Sequence, residues 1–252
     1  MGDGMPEADA KIRLFVDAPL HLGAEVSVEG QAHYLVNVMR RGAGDRIRLF
    51  NGRDGEWRAL IEAAGKRRVT LRCEEKSAPL TMPPDLTLLF APIKKARTDF
   101  IVEKAAEMGA RAIQPVLTAF TNSERVRVDK LRAHAIEAAE QCGGTFVPDL
   151  FEPAKLERVL ASWPADRRLM FCDERMVAPP AHEALRGLGG GPWAILIGPE
   201  GGFSEEEAAR LEALPQAVPV TLGPRILRAD TAAVAALTLW QAALGDWIER
   251  SG

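Results

Sequence analysis

The sequence of 252 residues has little of what identifies a membrane or disulfide-bonded protein. No apolar run approaches the roughly 20 residues needed to span a bilayer. The acidic start MGDGMPEADA lacks the basic and apolar segments of a signal peptide. The three cysteines, Cys73, Cys142 and Cys172, are scattered, with no CxxC pair and no metal-type spacing. We therefore expect a soluble globular protein with free thiols in a reduced, cytoplasmic setting, with no membrane partner.

Several catalytic signatures are missing as well. The chain has no GxxxxGK[ST] or GxGxxG phosphate motif, no evident Ser/His/Asp arrangement, and four histidines without a ligand pattern. These absences argue against a nucleotide-phosphate loop, a serine hydrolase and a metal enzyme. The net charge of −3 also argues against a protein covered by positive charge.

One segment is nevertheless basic. Between Arg40 and Arg72 the sequence has ten basic residues and four acidic ones. A local basic surface can bind a phosphate backbone even on an acidic chain. A solvated β surface rich in arginine explains the same pattern, so both interpretations stay open. The ten residues are Arg40, Arg41, Arg46, Arg48, Arg53, Arg58, Lys66, Arg67, Arg68 and Arg72.

The same part of the chain alternates like half-buried antiparallel strands. In RIRL, residues 46–49, apolar and arginine side chains alternate, and RVTLR, residues 68–72, does the same. NGRDG, residues 51–55, has the composition of a turn between strands. These patterns predict a small β-barrel with one short helix near residues 33–40.

A proline-rich stretch, residues 77–85, separates this part from the rest. Proline fixes φ and biases the preceding residue away from helix, so the stretch predicts a stiff connection between domains 1–78 and 79–252. Beyond it, apolar runs alternate with helical segments, which is typical of an α/β domain with a mainly parallel sheet. The runs are LTLLFAPI, AIQPVLT, RLMFCD, WAILIG and AVPVTLG.

A glycine-rich loop, GPEGGF, follows one of these runs. Ser204 and Glu207 form a capping-box pattern at the next helix start, and Glu205 and Glu206 lie in the same first turn. Three carboxylates at the positive end of a helix would repel a phosphate. Small residues together with Glu200 suit a flat ligand that is neutral or cationic, such as S-adenosylmethionine (SAM). A tight strand-to-helix turn without a ligand is the alternative.

A second loop, residues 220–230, repeats this layout. It contains Gly223 and Arg228 and predicts a helix that begins at about Asp230 or Thr231, with Asp230 as its cap. That helix is apolar on nearly every face, which indicates burial inside a domain or in an oligomer interface. We favour a homodimer.

Three segments together resemble a known family. GPEGGFS, LGPRILRADTA and AIEAAEQCGGTFVP are similar to the ribosomal RNA uridine-N3 methyltransferases of the SPOUT superfamily, the small-subunit methyltransferase E family. HYLVNVMRRGAGDRIRLFNGRDGEW resembles the PUA-like RNA-binding barrel of that family, and KKARTDFIVEKAAEMGARAIQPVLT resembles the start of its catalytic domain. The resemblance implies an α/β fold with a C-terminal trefoil knot, bound SAM, a dimer, and methylation of N3 of a uridine in 16S ribosomal RNA.

The resemblance also implies site residues. Arg228 is the candidate to orient or stabilise the uracil base, since a guanidinium can bind a carbonyl with two donors; a cap or a dimer ion pair is its alternative role. The candidate RNA contacts are Arg40, Arg41, Lys94, Arg97 and Arg125. The candidate cofactor contacts are Cys172, Gly198, Glu200, Gly201, Gly202, Leu222, Gly223, Ile226 and Leu227, with residues 172–174 as a third wall of the site.

The helix expected at residues 98–108 adds a clue about charge. Its apolar stripe comprises Phe100, Ile101, Ala105 and Met108. Lys104 falls within this stripe and Arg97 on the same face, so each must extend its charge to the solvent, pair with a carboxylate or face RNA phosphate. We expect a carboxylate partner for Lys104 and an RNA contact for Arg97.

One departure from the family pattern concerns Gly144, which stands where the family usually has arginine. Arg125 or Arg127 could take over that role. Attack by N3 needs no covalent thiol, so Cys142 and Cys172 are expected to be packing residues. Ribose 2′-O methylation and a non-catalytic RNA-binding dimer remain alternative functions. An assembled small subunit is the favoured substrate, because a net-acidic protein gains little from non-specific RNA affinity.

Overall fold

The computed structural model describes residues 12–122, 126–173, 175 and 177–248. The chain forms two compact units. The first unit comprises Met1–Met82 and Ala139–Val147, and the second comprises Pro83–Ala138 and Pro148–Gly252. The second segment of the first unit was not expected from the sequence, and the boundary at residues 78 and 79 stays a prediction.

The first unit is built on a five-stranded sheet in the order β1-β3-β4-β5-β2. Its pairs are antiparallel, as the alternation predicts, except that β1 runs parallel to β3. Residues 51–55 form the turn between β3 and β4, as predicted. The strands are β1 (Arg13–Phe15), β2 (Glu25–Val28), β3 (Arg46–Phe50), β4 (Glu56–Ala64) and β5 (Val69–Ala78).

The predicted alternation places the core of this sheet. Ile47, Leu49, Val69 and Leu71 are fully buried, while the arginines between them are half-buried or exposed. Each such apolar side chain contributes about 1.5–3 kcal/mol when it is removed from water. The predicted short helix is a π-type turn, Tyr34–Val38, whose Leu35 is fully buried in the same core.

A buried arginine connects the two segments of the first unit. The Arg13 guanidinium donates to the carbonyls of Ala139, Glu140 and Gly144 at 2.6, 3.1 and 2.7 Å. Its Nε lies 2.6 Å from the carboxylate of Glu56, and both side chains are less than a tenth exposed. Because cations favour the negative end of a helix, this arginine stabilises the C-terminal turn to which Ala139 and Glu140 belong.

The turn between β3 and β4 is fixed by side-chain hydrogen bonds. The carboxylate of Asp54 accepts from the backbone N–H of Leu20 at 2.8 Å and from the Asn51 amide at 2.7 Å. These two bonds, with that from Leu20 the larger cause, lower the pKa of Asp54 below its ordinary value of 3.8. The turn is therefore held best with Asp54 ionised.

Five arginines of the basic segment are ion-paired across this sheet. The paired glutamates reduce the net charge of the surface, which favours the interpretation of a solvated β surface for this part of the segment. The four pairs in which both side chains are partly exposed each contribute about 0–1 kcal/mol, whereas the Glu56 partner of Arg48 is buried. The pairs are Arg46–Glu74, Arg48–Glu56, Arg58–Glu75, Arg68–Glu29 and Arg72–Glu62.

The second unit is an α/β unit with a parallel sheet in the order β12-β10-β11-β6-β7-β8, and β9 pairs with β7. All five predicted apolar runs form strands, whereas the two-residue strands β8 and β9 carry no recognisable pattern. The strands are β6 (Leu86–Phe90), β7 (Ala112–Leu117), β8 (Asp149–Leu150), β9 (Ala154–Lys155), β10 (Arg168–Cys172), β11 (Trp193–Ile197) and β12 (Ala217–Val220).

Six α-helices are described along the chain. The helices are α1 (Lys95–Glu107), α2 (Val128–Cys142), α3 (Leu156–Ala161), α4 (Ala181–Ala184), α5 (Glu205–Glu212) and α6 (Ala229–Leu244). None of the described helices is long and apolar enough to cross a membrane. Within α6, Ala233, Ala236, Leu237 and Trp240 are buried, and Trp240 packs edge-on against Trp193 of β11.

The strand order decides where a site can form. β12, β10 and β11 are neighbours and run in the same direction, so their carboxyl ends lie side by side. The loops that leave these three ends include both loops singled out from the sequence. In parallel α/β sheets, ligands bind at the carboxyl ends of the strands.

Candidate functional site

A cavity of about 190 Å³ lies at the carboxyl ends of β10, β11 and β12 and at the start of α6. All nine residues predicted as cofactor contacts line it. Asp173, within the third wall expected at residues 172–174, lines it as well. Among the described residues, sequence reasoning did not select six others of the lining: Ile197, Pro199, Val220, Arg225, Ala229 and Ala232.

The first wall of the cavity is the glycine loop after β11. Gly202 has φ of +70°, a conformation that favours glycine, and its N–H donates to the Pro199 carbonyl at 2.9 Å. Gly198 packs against Phe203 of the same loop, and a Cβ at residue 198 would lie 2.8 Å from the Phe203 ring. Phe203 packs edge-on against Phe171 of β10. Close packing therefore requires the glycine at 198.

The capping box at the start of α5 is present as predicted. The Glu207 N–H donates to the Ser204 hydroxyl at 3.2 Å, and the Ser204 N–H donates to the Glu207 carboxylate at 3.0 Å. The other oxygen of Glu207 accepts from the Ala119 N–H at 2.8 Å. Three glutamates occupy the first turn, so the helix end is already compensated by negative charge. This supports the prediction that the loop holds no phosphate.

Among the described residues, the charged groups of the cavity lining are Asp173, Glu200 and Arg225. Asp173 is 4% exposed and is bound by Arg175 through two side-chain bonds of 2.9 and 3.0 Å. The bond to Asp173 first, and that to Glu212 second, raise the pKa of Arg175 above its ordinary value. Glu200 is about half exposed at the cavity wall.

The second wall is the loop between β12 and α6. Gly223 has φ of +120°, and the neighbouring Ile226 is 77% exposed although it lines the cavity. Leu227 and Ala229 line the cavity on either side of Arg228 along the chain. This arrangement leaves the Arg228 side chain exposed beside the cavity.

The start of α6 corrects the sequence expectation. The helix begins at Ala229 and Arg228 is its N-cap residue, so Asp230 lies inside the first turn and is not the cap. The Arg228 side chain makes no capping hydrogen bond. Arg228 therefore occupies the N-cap position named as its alternative role, but without a capping bond from its side chain.

Arg97 is placed differently from the expected free RNA contact. Its guanidinium lies 3.9 Å from the carboxylate of Glu200 and 3.7 Å from that of Asp230. It is thus paired with one carboxylate of the glycine loop and one of the first turn of α6. Lys104, in contrast, pairs with Glu107 at 2.7 Å, as expected.

The expected apolar stripe of α1 is only partly buried. Ile101 and Ala105 are fully buried and Met108 is half-buried, but Phe100 is 38% exposed. The Phe100 ring instead lies under the Lys104 ammonium group, 5.4 Å from its centroid. The prediction from hydrophobicity that Phe100 belongs to the buried face of α1 is wrong, because Val102 occupies that face in its place.

The other predicted RNA contacts are spread over the two units. Arg40 and Arg41 follow the π-type turn of the first unit, and Arg40 has an unusual φ of +55° for a non-glycine residue. Lys94 is the exposed N-cap residue of α1 in the second unit. Arg125 lies outside the described residues. The predicted set is therefore not gathered within one unit.

Two of the three cysteines are buried, and the carbonyl of Gly144 is hydrogen-bonded. Cys73 and Cys172 are buried, whereas Cys142 is exposed, so the expected packing role is wrong for Cys142. Burial raises the pKa of the Cys73 thiol. Arg127 pairs with Asp129, and the Gly144 carbonyl accepts from Arg13. That Arg125 or Arg127 replaces the family's arginine stays a prediction. No group of three or more potential metal-binding side chains occurs within the described ranges.

Comparisons with known proteins match both units. A family model described as an RNA methyltransferase domain matches residues 81–241, and one described as an RNA methyltransferase PUA domain matches residues 29–73. Ribosomal RNA small subunit methyltransferase E from Mycobacterium bovis is 30% identical to this chain, covering 92% of this chain and 94% of that protein.

Solved structures give the same picture. A ribosomal RNA small subunit methyltransferase E from Neisseria gonorrhoeae, bound to SAM, is 28% identical with a TM-score of 0.79, covering 94% of this chain and 99% of that one. A protein from Legionella pneumophila, solved with SAM as its bound cofactor, is 28% identical with a TM-score of 0.84, covering 93% of this chain and 98% of that one.

Proposed function

Because the chain belongs to the family of the ribosomal RNA small subunit methyltransferase E proteins, we propose that it transfers a methyl group from SAM to N3 of a specific uridine in 16S ribosomal RNA. The substrate we propose is the assembled small subunit. The observation that carries the proposal is the convergence of all nine expected cofactor residues on one cavity at three parallel strand ends.

The lining of this cavity fits SAM. Ile197, Leu222 and Leu227 offer apolar contacts for an adenine ring, and the glycines allow close approach of the backbone. Glu200, whose nearest described cation is Arg97 at 3.9 Å, can attract a cation such as the sulfonium, whereas the glutamates of α5 disfavour a phosphate. SAM, when bound, supplies the methyl group; the roles of the protein are to bind it and to orient the acceptor base.

Arg228 is the residue that we propose acts on the base. Uridine N3 carries a weakly acidic proton, so the transfer requires that the proton leave and that the anion be stabilised. A guanidinium next to the cavity can donate to a uracil carbonyl, where negative charge accumulates once N3 is deprotonated. The exposed side chain of Arg228, flanked by the cavity residues Leu227 and Ala229, suits this role.

We further propose the finer architecture that is typical of the family: a trefoil knot in the second unit, a closed PUA-like barrel in the first, and a homodimer. One face of α6 supports the dimer. Val234, Ala235 and Leu239 are only half-buried although the helix is strongly apolar. A second copy of the chain would cover this face, which disfavours contact with water.

The test of the function is methyl transfer from labelled SAM to small ribosomal subunits that lack the modification, followed by nucleoside analysis. We expect labelled 3-methyluridine. A 2′-O-methylated nucleoside would replace the N3 assignment with ribose methylation, and binding of SAM and RNA without transfer would leave a non-catalytic dimer.

The same assay tests Arg228. We expect Arg228→Ala to lower the transfer rate about 100- to 1,000-fold, the usual cost of losing one donor to a developing anion. Its affinity for SAM should be unchanged. The matched control is Arg186→Ala, which removes an exposed arginine that does not line the cavity. An equal rate for the two variants would contradict the assigned role.

A further inference from the structure

A second cavity, of about 580 Å³, lies in the second unit where the first turns of α1 and α2 come together. The cavity of about 190 Å³ that we propose binds SAM is called the SAM cavity below. The second cavity is separate from it, since the two share no lining residue among those described. Among the described residues, its lining includes four cations, Lys94, Lys95, Arg127 and Lys130, and one carboxylate, Asp99.

The carboxylate is already neutralised. Asp99 is only 8% exposed and forms an ion pair with Lys95. The His134 ring also lies 3.5 Å from the Asp99 carboxylate, while its other nitrogen bonds to Glu103 at 2.8 Å. Asp99 is therefore held against α1 and α2 and does not offset the charge of the remaining cations.

Two of the lysines are not paired with a carboxylate of the described residues and are available to a ligand. Arg127 is paired with Asp129 at 2.6 Å and Lys95 with Asp99. Lys94 and Lys130 have no ion-pair partner among residues 12–122, 126–173, 175 and 177–248. Both are exposed at the cavity, Lys94 as the N-cap residue of α1 and Lys130 in the first turn of α2.

Helix electrostatics make this arrangement costly without an anion. The N-terminal end of a helix carries partial positive charge, so a cation placed there is repelled. The first turn of α1 contains no acidic residue, and Lys94 and Lys95 stand at its start. The sequence thus places two lysines at the positively charged end of the helix. Local conflicts of this kind are typical of functional sites.

We propose that this cavity binds a phosphodiester group of the RNA substrate, with Lys94 and Lys130 as its principal contacts. The inference rests on the proposed function, which makes RNA the anion that this chain meets. Lysine ammonium groups bind phosphate as mobile point charges, and the amide of Asn122 at the same cavity offers an additional donor. Since phosphate contacts position RNA without reading its sequence, the site would fix the register of the substrate strand.

The experiment compares full-length wild type with Lys94→Gln/Lys130→Gln in binding unmodified 16S ribosomal RNA over a range of salt concentrations. Each lost phosphate contact lowers the slope of log K against log salt by about 1. We therefore expect a slope smaller by about 1–2 for the double variant, with the greatest loss of affinity at low salt. The affinity for SAM should stay at the wild-type value.

The matched control is Lys155→Gln, which removes an exposed lysine of the same unit that lines neither cavity. A double variant whose slope equals that of this control would overturn the proposal. So would unchanged RNA binding combined with weaker methyl transfer to assembled subunits, because the cavity would then contact an acidic protein surface.

A third arm separates RNA from a free anion. If wild type binds inorganic phosphate in equilibrium dialysis, and the double variant loses this binding without a change in RNA affinity, the site belongs to a free anion and the proposal fails. The proposed function fails on a different result: no methyl transfer by wild type, whatever the salt slopes are.

Discussion

Gly198 follows β11 directly and offers the sharpest test of the SAM cavity. A Cβ at this position would lie 2.8 Å from Cε2 and 3.0 Å from Cζ of Phe203, closer than Cβ contacts are found in proteins. The Phe203 ring is braced edge-on by Phe171, with the ring centroids 5.3 Å apart. In Gly198→Ala the ring, the loop or both must therefore move.

The size of the effect follows from this contact. Inserting one methyl group into a well-packed site costs about 1–3 kcal/mol. If the loop relaxes in the absence of SAM, binding of SAM must restore its position, and the cost becomes a loss of affinity of about 5- to 160-fold. If the loop keeps its place, the cost lowers the free energy of unfolding instead. The two losses together should reach at least about 1 kcal/mol.

The assay is titration calorimetry with SAM together with urea unfolding of the same preparation. Gly189→Ala is the matched control, since a Cβ at Gly189 meets nothing within 4 Å. Phe203→Leu in the Gly198→Ala background should recover part of the loss by removing the ring. A Gly198→Ala protein that equals Gly189→Ala in both affinity and stability would refute the reasoning.

Three further predictions concern stability. Arg13→Met should cost the first unit about 1.5–3 kcal/mol, because the buried Glu56 loses its shortest ion pair but keeps Ser77 and the more exposed Arg48. Urea-dependent hydrogen exchange of β3 and β4 should show this, against less than about 1 kcal/mol for the exposed Arg68→Met. Asp54→Asn should destabilise at neutral pH in urea unfolding, and the difference from wild type should vanish as the pH falls below 3.8, since a lowered pKa stabilises only the ionised form. Ser204→Ala should lower the free energy of unfolding by about 1 kcal/mol in the same assay, through loss of the cap of α5.

The position of the SAM cavity could be predicted from the sequence, because strand direction determines which loops lie side by side. Apolar runs predict β10, β11 and β12, and parallel strands bring their carboxyl ends together without knowledge of any side-chain contact. The individual contacts came from the resemblance to the family, and strand direction explains why residues at or near the strand ends, such as Cys172, Gly198 and Leu222, meet at one cavity. The capping box was found for a similar reason, since it depends only on local spacing.

Contacts between distant segments were not accessible in this way. Arg97 meets Glu200 and Asp230, which are more than a hundred positions away along the chain. Arg13 reaches Gly144 over a similar separation. No spacing rule connects such residues, so Arg97 was read from its helix face alone and the role of Arg13 was missed.

Two helix starts in the second unit show how local charge can separate two kinds of ligand on one scaffold. α5 begins with three glutamates beside the SAM cavity, so its positive end is compensated by the chain and disfavours an anion. α1 begins with Lys94 and Lys95 and no carboxylate in its first turn, so its positive end is left for an anion from outside. A methyltransferase that acts on RNA needs both: a cavity suited to a cationic cofactor and a neighbouring surface suited to a polyanion. If the charges at the two starts were exchanged, phosphate would be attracted to the cofactor cavity and repelled from the proposed RNA contact.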